Sequence, residues 1–148
     1  MKIIVSAPGK LMLFGEHGVV YGRPCIVTAV GQRMKATVEL TEEPLFELKA
    51  PDVQVTNYKK AIEDCGVGEI PKGAKFVEVA VKNFLDKYPF GGGVKVETKS
   101  EFSSEFGFGS SSASTVCVIK ALSELTGTKL SDKALFKLAY KTVLDIQG

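Results

Sequence analysis

Along residues 33–40 apolar and polar side chains alternate one for one. Met34, Ala36, Val38 and Leu40 fall on one side, and Arg33, Lys35, Thr37 and Glu39 on the other. A period of two marks a strand with one face on a core and one in water. Lys2–Ala7 predicts a strand stopped by Pro8-Gly9, and Cys25–Val30 is strand-compatible. Leu45–Leu48 pairs with the 34–40 strand after a Glu-Glu-Pro turn, and Val94–Thr98 forms a short strand after Gly91-Gly92-Gly93. The period lengthens to that of a helix at Phe76, Val79, Ala80 and Phe84, which predicts a helix over 73–87. A helix over 111–126 turns Ala113, Val116, Cys117 and Leu125 inward and stops at Gly127. Ser131 or Asp132 caps a last helix carrying Leu135, Leu138, Ala139 and Val143. Residues 8–24 hold Gly9, Gly15, Gly18 and Gly22 and read as a loop, and 50–71 read as loop or broken helix. Strands come first and helices follow, so the fold class is α+β.

Composition narrows the picture. With 148 residues, 45% of them hydrophobic, the chain can form one globular domain with a core, and no repeat or linker divides it. A net charge of +2 gives no broad electrostatic footprint for nucleic acid, so no nucleic-acid partner is expected. No apolar run approaches membrane-spanning length, and Met1-Lys2 followed by Ile-Ile-Val and an early Pro8 makes no signal peptide; no membrane partner is expected. Cys25, Cys65 and Cys117 lie 40 and 52 positions apart beside a single histidine, which disfavours a zinc site and suits a reducing cytoplasm.

Two segments carry chemistry. Residues 107–115 read Gly-Phe-Gly-Ser-Ser-Ser-Ala-Ser-Thr and open a helix. The first amides of a helix lack intrahelical partners, and the macrodipole makes that end electropositive, so glycines and hydroxyls there suit a phosphate or a bound Mg²⁺. A plain capped helix start accounts for one or two of these residues but not for Gly-x-Gly plus three consecutive hydroxyls. No Gly-Lys-Ser/Thr follows, so this is no P-loop of the Walker type, and Ser112 replaces the third glycine of a dinucleotide fingerprint. Glu101–Phe106 ahead of it is also a poor strand. The second segment, 6–24, places Lys10, Glu16 and His17 on a glycine-rich loop. A lysine there neutralises a phosphoryl group in transit or activates an attacking hydroxyl, and Glu16 and His17 are candidates for substrate contact.

Pro8-Gly-Lys-Leu-Met-Leu-Phe-Gly-Glu-His-Gly-Val-Val-Tyr-Gly-Arg-Pro24 closely resembles the first signature of mevalonate kinases. These belong to the superfamily shared with galactokinase, homoserine kinase and phosphomevalonate kinase. Gly107–Ala113 resembles the second signature, the nucleotide phosphate loop. The resemblance covers nearly the whole chain and implies residues 1–148 as the N-terminal, ATP-binding part of a longer protein. It implies a ribosomal protein S5 domain 2-like fold, two-layered with a left-handed βαβ unit, and substrate held against a second domain absent here. It implies ATP and Mg²⁺ as cofactors and transfer of a phosphoryl group to a small alcohol, most closely mevalonate. By position, Lys10 matches the active-site lysine, and Glu16 and His17 match residues lining the substrate site. Gly107, Phe108, Gly109, Ser110, Ser111 and Ser112 match the phosphate loop, with Ser111 at the Mg²⁺-contacting serine. A homodimer is compatible with this reading.

The chain also departs from the pattern. Phe108 replaces a leucine, which implies a packing change, and Glu101 and Glu105 stand near the expected phosphates, where carboxylates repel ATP unless turned away. The family's catalytic aspartate, carried in a Ser-Gly-x-Asp run, is not in the chain, and Thr142 and Val143 occupy the neighbourhood of its metal-binding glutamate. A fragment with little or no turnover is therefore expected. The closing Asp-Ile-Gln-Gly resembles the phosphomevalonate kinase version of its helix, and that reading calls for extra basic groups, for which Arg23, Arg33 and Lys35 are candidates. A non-catalytic nucleotide- or metabolite-binding module is the alternative of another class.

Overall fold

The computed structural model describes residues 1–148, the side chain of Phe106 excepted. Five strands and three α-helices follow in the order β1 (Lys2–Phe14), β2 (Ile26–Thr41), β3 (Leu45–Ala50), β4 (Val55–Ala61), α1 (Lys75–Lys87), β5 (Gly93–Ser100), α2 (Ser110–Leu125) and α3 (Asp132–Gln147). The strands form one sheet in the order β1-β2-β5-β3-β4. All neighbours are antiparallel except β3 and β5, which run parallel and are joined through β4 and α1. The α+β class is thus as the hydrophobic pattern predicts.

The alternation in β2 does what it promises: Met34, Ala36 and Val38 are buried. Val94 and Val96 of β5 and Phe46 and Leu48 of β3 join them in one core under α1 and α2. The opposite face is charged in register. Lys2 pairs with Glu39, Glu39 with Lys95, Lys95 with Glu47 and Glu47 with Lys59, so one row crosses all five strands with alternating sign. Lys59 to Glu47 is an ion pair at 3.2 Å, and Lys49 to Glu97 in the next row is another at 3.0 Å.

Five local expectations need correction. Leu45–Leu48 does not pair with the 34–40 strand: β5 lies between β2 and β3, so β3 bonds β5 on one side and β4 on the other. β1 does not stop at Pro8-Gly9 but runs on to Phe14, with register shifts between Pro8 and Lys10 and between Met12 and Phe14. β1 is an edge strand, where a proline without an N–H is tolerated and a bulge absorbs the glycine. Lys10 therefore stands on a strand, not a loop. The runs 25–30 and 34–40 are one continuous strand, β2, whose far part pairs with Lys10–Phe14 to make an arm. Residues 55–61, expected in loop or broken helix, form β4 against β3. Its alternation is hidden because an inward position holds a charge: the Lys60 ammonium lies 2.8 Å from Oε1 of the fully buried Glu78. In α1 the buried face is Val77, Ala80, Val81 and Phe84, with Phe76 and Val79 only half-buried.

α2 is the central helix. It lies against β1 and β2 and is flanked by α1 and α3. Its polar core positions are satisfied locally: Ser114 and Thr115 hydroxyls donate to the Ser111 carbonyl, and Ser123 Oγ accepts from the Leu130 amide. Ser131, not Asp132, caps α3, accepting from the Ala134 amide at 3.3 Å. α1 and α3 are tied by Asn83, which donates to Thr142 Oγ1 at 3.1 Å and to Asp145 at 2.9 Å.

Candidate functional site

The site begins where α2 does. A single 3₁₀ turn, Ser104–Phe106, precedes it, capped by Ser103 Oγ accepting from the Glu105 amide. Gly107 and Gly109 then adopt positive φ, +67° and +72°, and turn the chain into the helix. The first helical bond runs from the Ala113 amide to the Gly109 carbonyl at 2.9 Å, so the amides of Ser110, Ser111 and Ser112 precede it. Gly109 occupies the N-cap position and has no side chain to cover them. The α2 mouth is an electropositive pole bordered by three hydroxyls, Ser110 and Ser111 half-buried and Ser112 exposed.

β1 brings Lys10 to this mouth. Its amide donates to the Phe108 carbonyl at 2.8 Å, and its ammonium donates to the Gly107 carbonyl at 3.2 Å. Phe108 anchors the turn from the other side, its ring 5.7 Å from that of the buried Phe102. The replacement of leucine by Phe108 is thus a packing change, as expected. Residues 97 positions apart in sequence meet here.

Other candidates fall elsewhere. Glu16 and His17 lie beyond the end of β1, exposed, with His17 opening the 3₁₀ turn Gly18–Tyr21. β1 is extended between Lys10 and Phe14, about 13 Å of strand, so the chain alone does not bring these two side chains against Lys10. Glu101 is turned away from the mouth: one oxygen accepts from the Arg33 amide at 3.0 Å and the other pairs with Lys35 at 3.1 Å. The Lys35 ammonium, then the Arg33 amide, hold its carboxyl below the usual range. Arg33 is committed too, with Nε on Ser6 Oγ at 2.8 Å and a terminal nitrogen on the Ser6 carbonyl at 3.0 Å. Of the three basic candidates for a second phosphate, Arg33 and Lys35 therefore serve the sheet, and Arg23 is exposed at the arm.

The structure adds residues that no local pattern singled out. A cleft beside the mouth is lined by Asp52, Val53, Lys72 and Phe76 together with Ser110 and Ser111. Asp52 accepts from the Ser100 amide at 2.8 Å, and Lys72 is exposed at the rim. Asp52 comes from the segment read as irregular and Lys72 from just after it, and only the folded sheet brings them to α2. Among the described residues no three His, Cys, Asp or Glu side chains converge on a metal position. Thr142, which with Val143 occupies the neighbourhood where the resemblance implies an acidic ligand, is fully buried and donates to the Leu138 carbonyl at 2.9 Å.

The chain belongs to the GHMP kinase family: residues 75–148 match the GHMP kinases N terminal domain. The mevalonate kinase of Pyrococcus furiosus is 34% identical over 155 residues, an alignment that takes in 100% of this chain and 46% of the relative. The crystal structure of the Methanococcus jannaschii mevalonate kinase superimposes with a TM-score of 0.87 at 29% identity, covering 100% of this chain and 48% of that one. The fold extends to the Streptococcus pneumoniae phosphomevalonate kinase solved with phosphomevalonate and AMPPNP, with a TM-score of 0.71 at 18% identity, covering 96% of this chain and 42% of that one. The chain spans about half the length of the curated relatives it matches. Among the described residues no helix is long and apolar enough to cross a membrane.

Proposed function

We propose that residues 1–148 are the ATP-binding domain of a kinase that phosphorylates the primary hydroxyl of mevalonate, acting in the cytoplasm. The observation that carries this reading is the placement of the Lys10 ammonium at the glycine turn of α2, 3.2 Å from the Gly107 carbonyl. The amides of Ser110, Ser111 and Ser112 and the Ser110 hydroxyl would hold the nucleotide's phosphates, and Ser111 would touch Mg²⁺. Bound ATP supplies the transferable phosphoryl group. Lys10 neutralises charge there and lowers the cost of bringing an alcohol oxygen to a crowded anion. Exposed Glu16 and His17 are assigned to the acceptor, held from the arm. Residues 1–74 supply four of the five strands of the sheet on which the matched segment 75–148 packs, so the domain is read as the whole of 1–148.

Mevalonate is preferred over phosphomevalonate because Arg33 and Lys35, which a second phosphate would need, are already paired with Ser6 and Glu101. The preference also follows the named relatives, with identities of 34% and 29% for mevalonate kinases against 18% for the phosphomevalonate kinase. The test is a coupled phosphotransfer assay on the full reading frame with ATP and Mg²⁺. Mevalonate, phosphomevalonate, galactose and homoserine are offered in parallel. Turnover confined to mevalonate is expected; turnover of another alcohol corrects the acceptor, and none with any acceptor, alongside nucleotide binding, identifies a binding module instead.

A further inference from the structure

The two glycines of the turn before α2 have different surroundings. At Gly107 a Cβ would meet open space, whereas at Gly109 it would come 2.9 Å from Cγ of Lys10 and 3.4 Å from its Cε. The stem of Lys10 therefore lies along the side of residue 109 that a side chain would fill. Its ammonium emerges at the Gly107 carbonyl, and its amide is fastened to the Phe108 carbonyl. Cγ lies near the root of the lysine, so a clash there is relieved only by changing the first rotamers, which swings the ammonium off the mouth. Positive φ alone asks for glycine at both positions; only at 109 does the lysine ask for it as well.

We infer that Gly109 is a positioning residue for Lys10: its missing side chain opens the channel through which the lysine ammonium reaches the mouth of α2. The catalytic meaning of that placement rests on the kinase reading above, but the placement itself is tested without nucleotide. Gly127 supplies a matched control, with φ of +70° and open space where a Cβ would stand. Gly127→Ala carries the backbone strain without a lysine to strike.

The experiment compares urea midpoints of the chain and its Gly109→Ala and Gly127→Ala variants, each with Lys10 present and with Lys10→Ala. Alongside, the rate of reductive methylation at Lys10 is followed by peptide mass spectrometry, with exposed Lys133 as internal standard. Lys10 is expected to methylate more slowly than Lys133, because its ammonium is engaged on the Gly107 carbonyl. Gly109→Ala should remove most of that protection and Gly127→Ala none of it. Gly109→Ala should lower the midpoint more than Gly127→Ala when Lys10 is present and equally when it is absent. If Gly109→Ala fails to fold, folding of the Lys10→Ala/Gly109→Ala double variant supports the inference, and failure of both overturns it. A Gly109→Ala effect that is the same in both backgrounds, with Lys10 protection unchanged, overturns it as well. Failure of the parent chain to bind AMPPNP removes the kinase reading and leaves the coupling standing, so the two are separable.

Discussion

The two halves of β1 obey different rules. From Lys2 to Ala7 the strand lies over α2, with Ile3, Val5 and Ala7 turned toward the core and Lys2 and Ile4 outward. From Lys10 to Phe14 it pairs with Ile26–Ala29 as an arm, and Leu11, Leu13, Phe14, Ile26 and Val27 are all exposed. The arm continues into Val20 and Tyr21, 74% and 82% exposed. Apolar composition alone thus does not make a core: alternation shows where one face has a layer to pack against, and a run of apolar residues without such a layer stays open. The arm is also the segment that carries Glu16 and His17, so the body holds the nucleotide half of the proposed chemistry and the arm presents the acceptor half.

Breaking the body should cost most. Phe84 is fully buried between Tyr88 and Phe90, and Phe84→Ala should lower unfolding free energy by about 3–5 kcal/mol in urea titration. Lys60→Met should cost a similar 3–5 kcal/mol or so, because the buried Glu78 carboxylate is left with the Gly66 amide alone. Adding Glu78→Gln to Lys60→Met should then recover part of the loss, and a double variant no better than the single one would contradict the buried-charge account. One step down, Ser131→Ala should cost about 1 kcal/mol by uncapping α3.

The cysteines sharpen the contrast. Burial pushes the Cys65 thiol up to about 12 and the Cys117 thiol up to about 11, whereas Cys25 sits half-exposed at the outer end of the arm, just before Ile26. One of the three thiols should react with Ellman's reagent at pH 8, and Cys25→Ser should abolish that signal. A raised folded value favours the protonated thiol in the native state. The stability from Cys65 and Cys117 is therefore fully present below the ordinary thiol range and lost as pH climbs from about 9 toward 11 and 12. The urea midpoint should fall over that climb, less steeply in Cys117→Ala. Smallest of all, Val20→Ser with Tyr21→Ser should change stability by under about 0.5 kcal/mol while reducing binding of an apolar dye, since neither side chain is packed.

Much of the body was legible because its signals are local. The alternation of Met34–Leu40, the helical spacing of Ala80 and Phe84 and the glycines before Ser110 each state their structure within a few residues. β4 was not legible, since Lys60 faces inward to a partner 18 positions away that no local pattern reveals. β1 beyond Pro8 was missed because a proline forbidden in a central strand is harmless at an edge, and edge position is a property of the whole sheet. At the site, the glycine turn before α2 and Lys10 stand out from their motifs. Their junction through Phe108, and the Asp52 and Lys72 cleft, exist only once the sheet has formed.

The central claim is that the α2 mouth and Lys10 together receive a nucleotide's phosphates. The most direct measurement is a ¹H–¹⁵N titration of the assigned chain with Mg²⁺·AMPPNP, in the parent and in Lys10→Ala. The account predicts the largest amide shifts at Gly107–Ser112 and at Lys10, with weaker binding in the variant. Shifts concentrated on the charged face of the sheet, or a mouth that stays silent while nucleotide binds elsewhere, would contradict it.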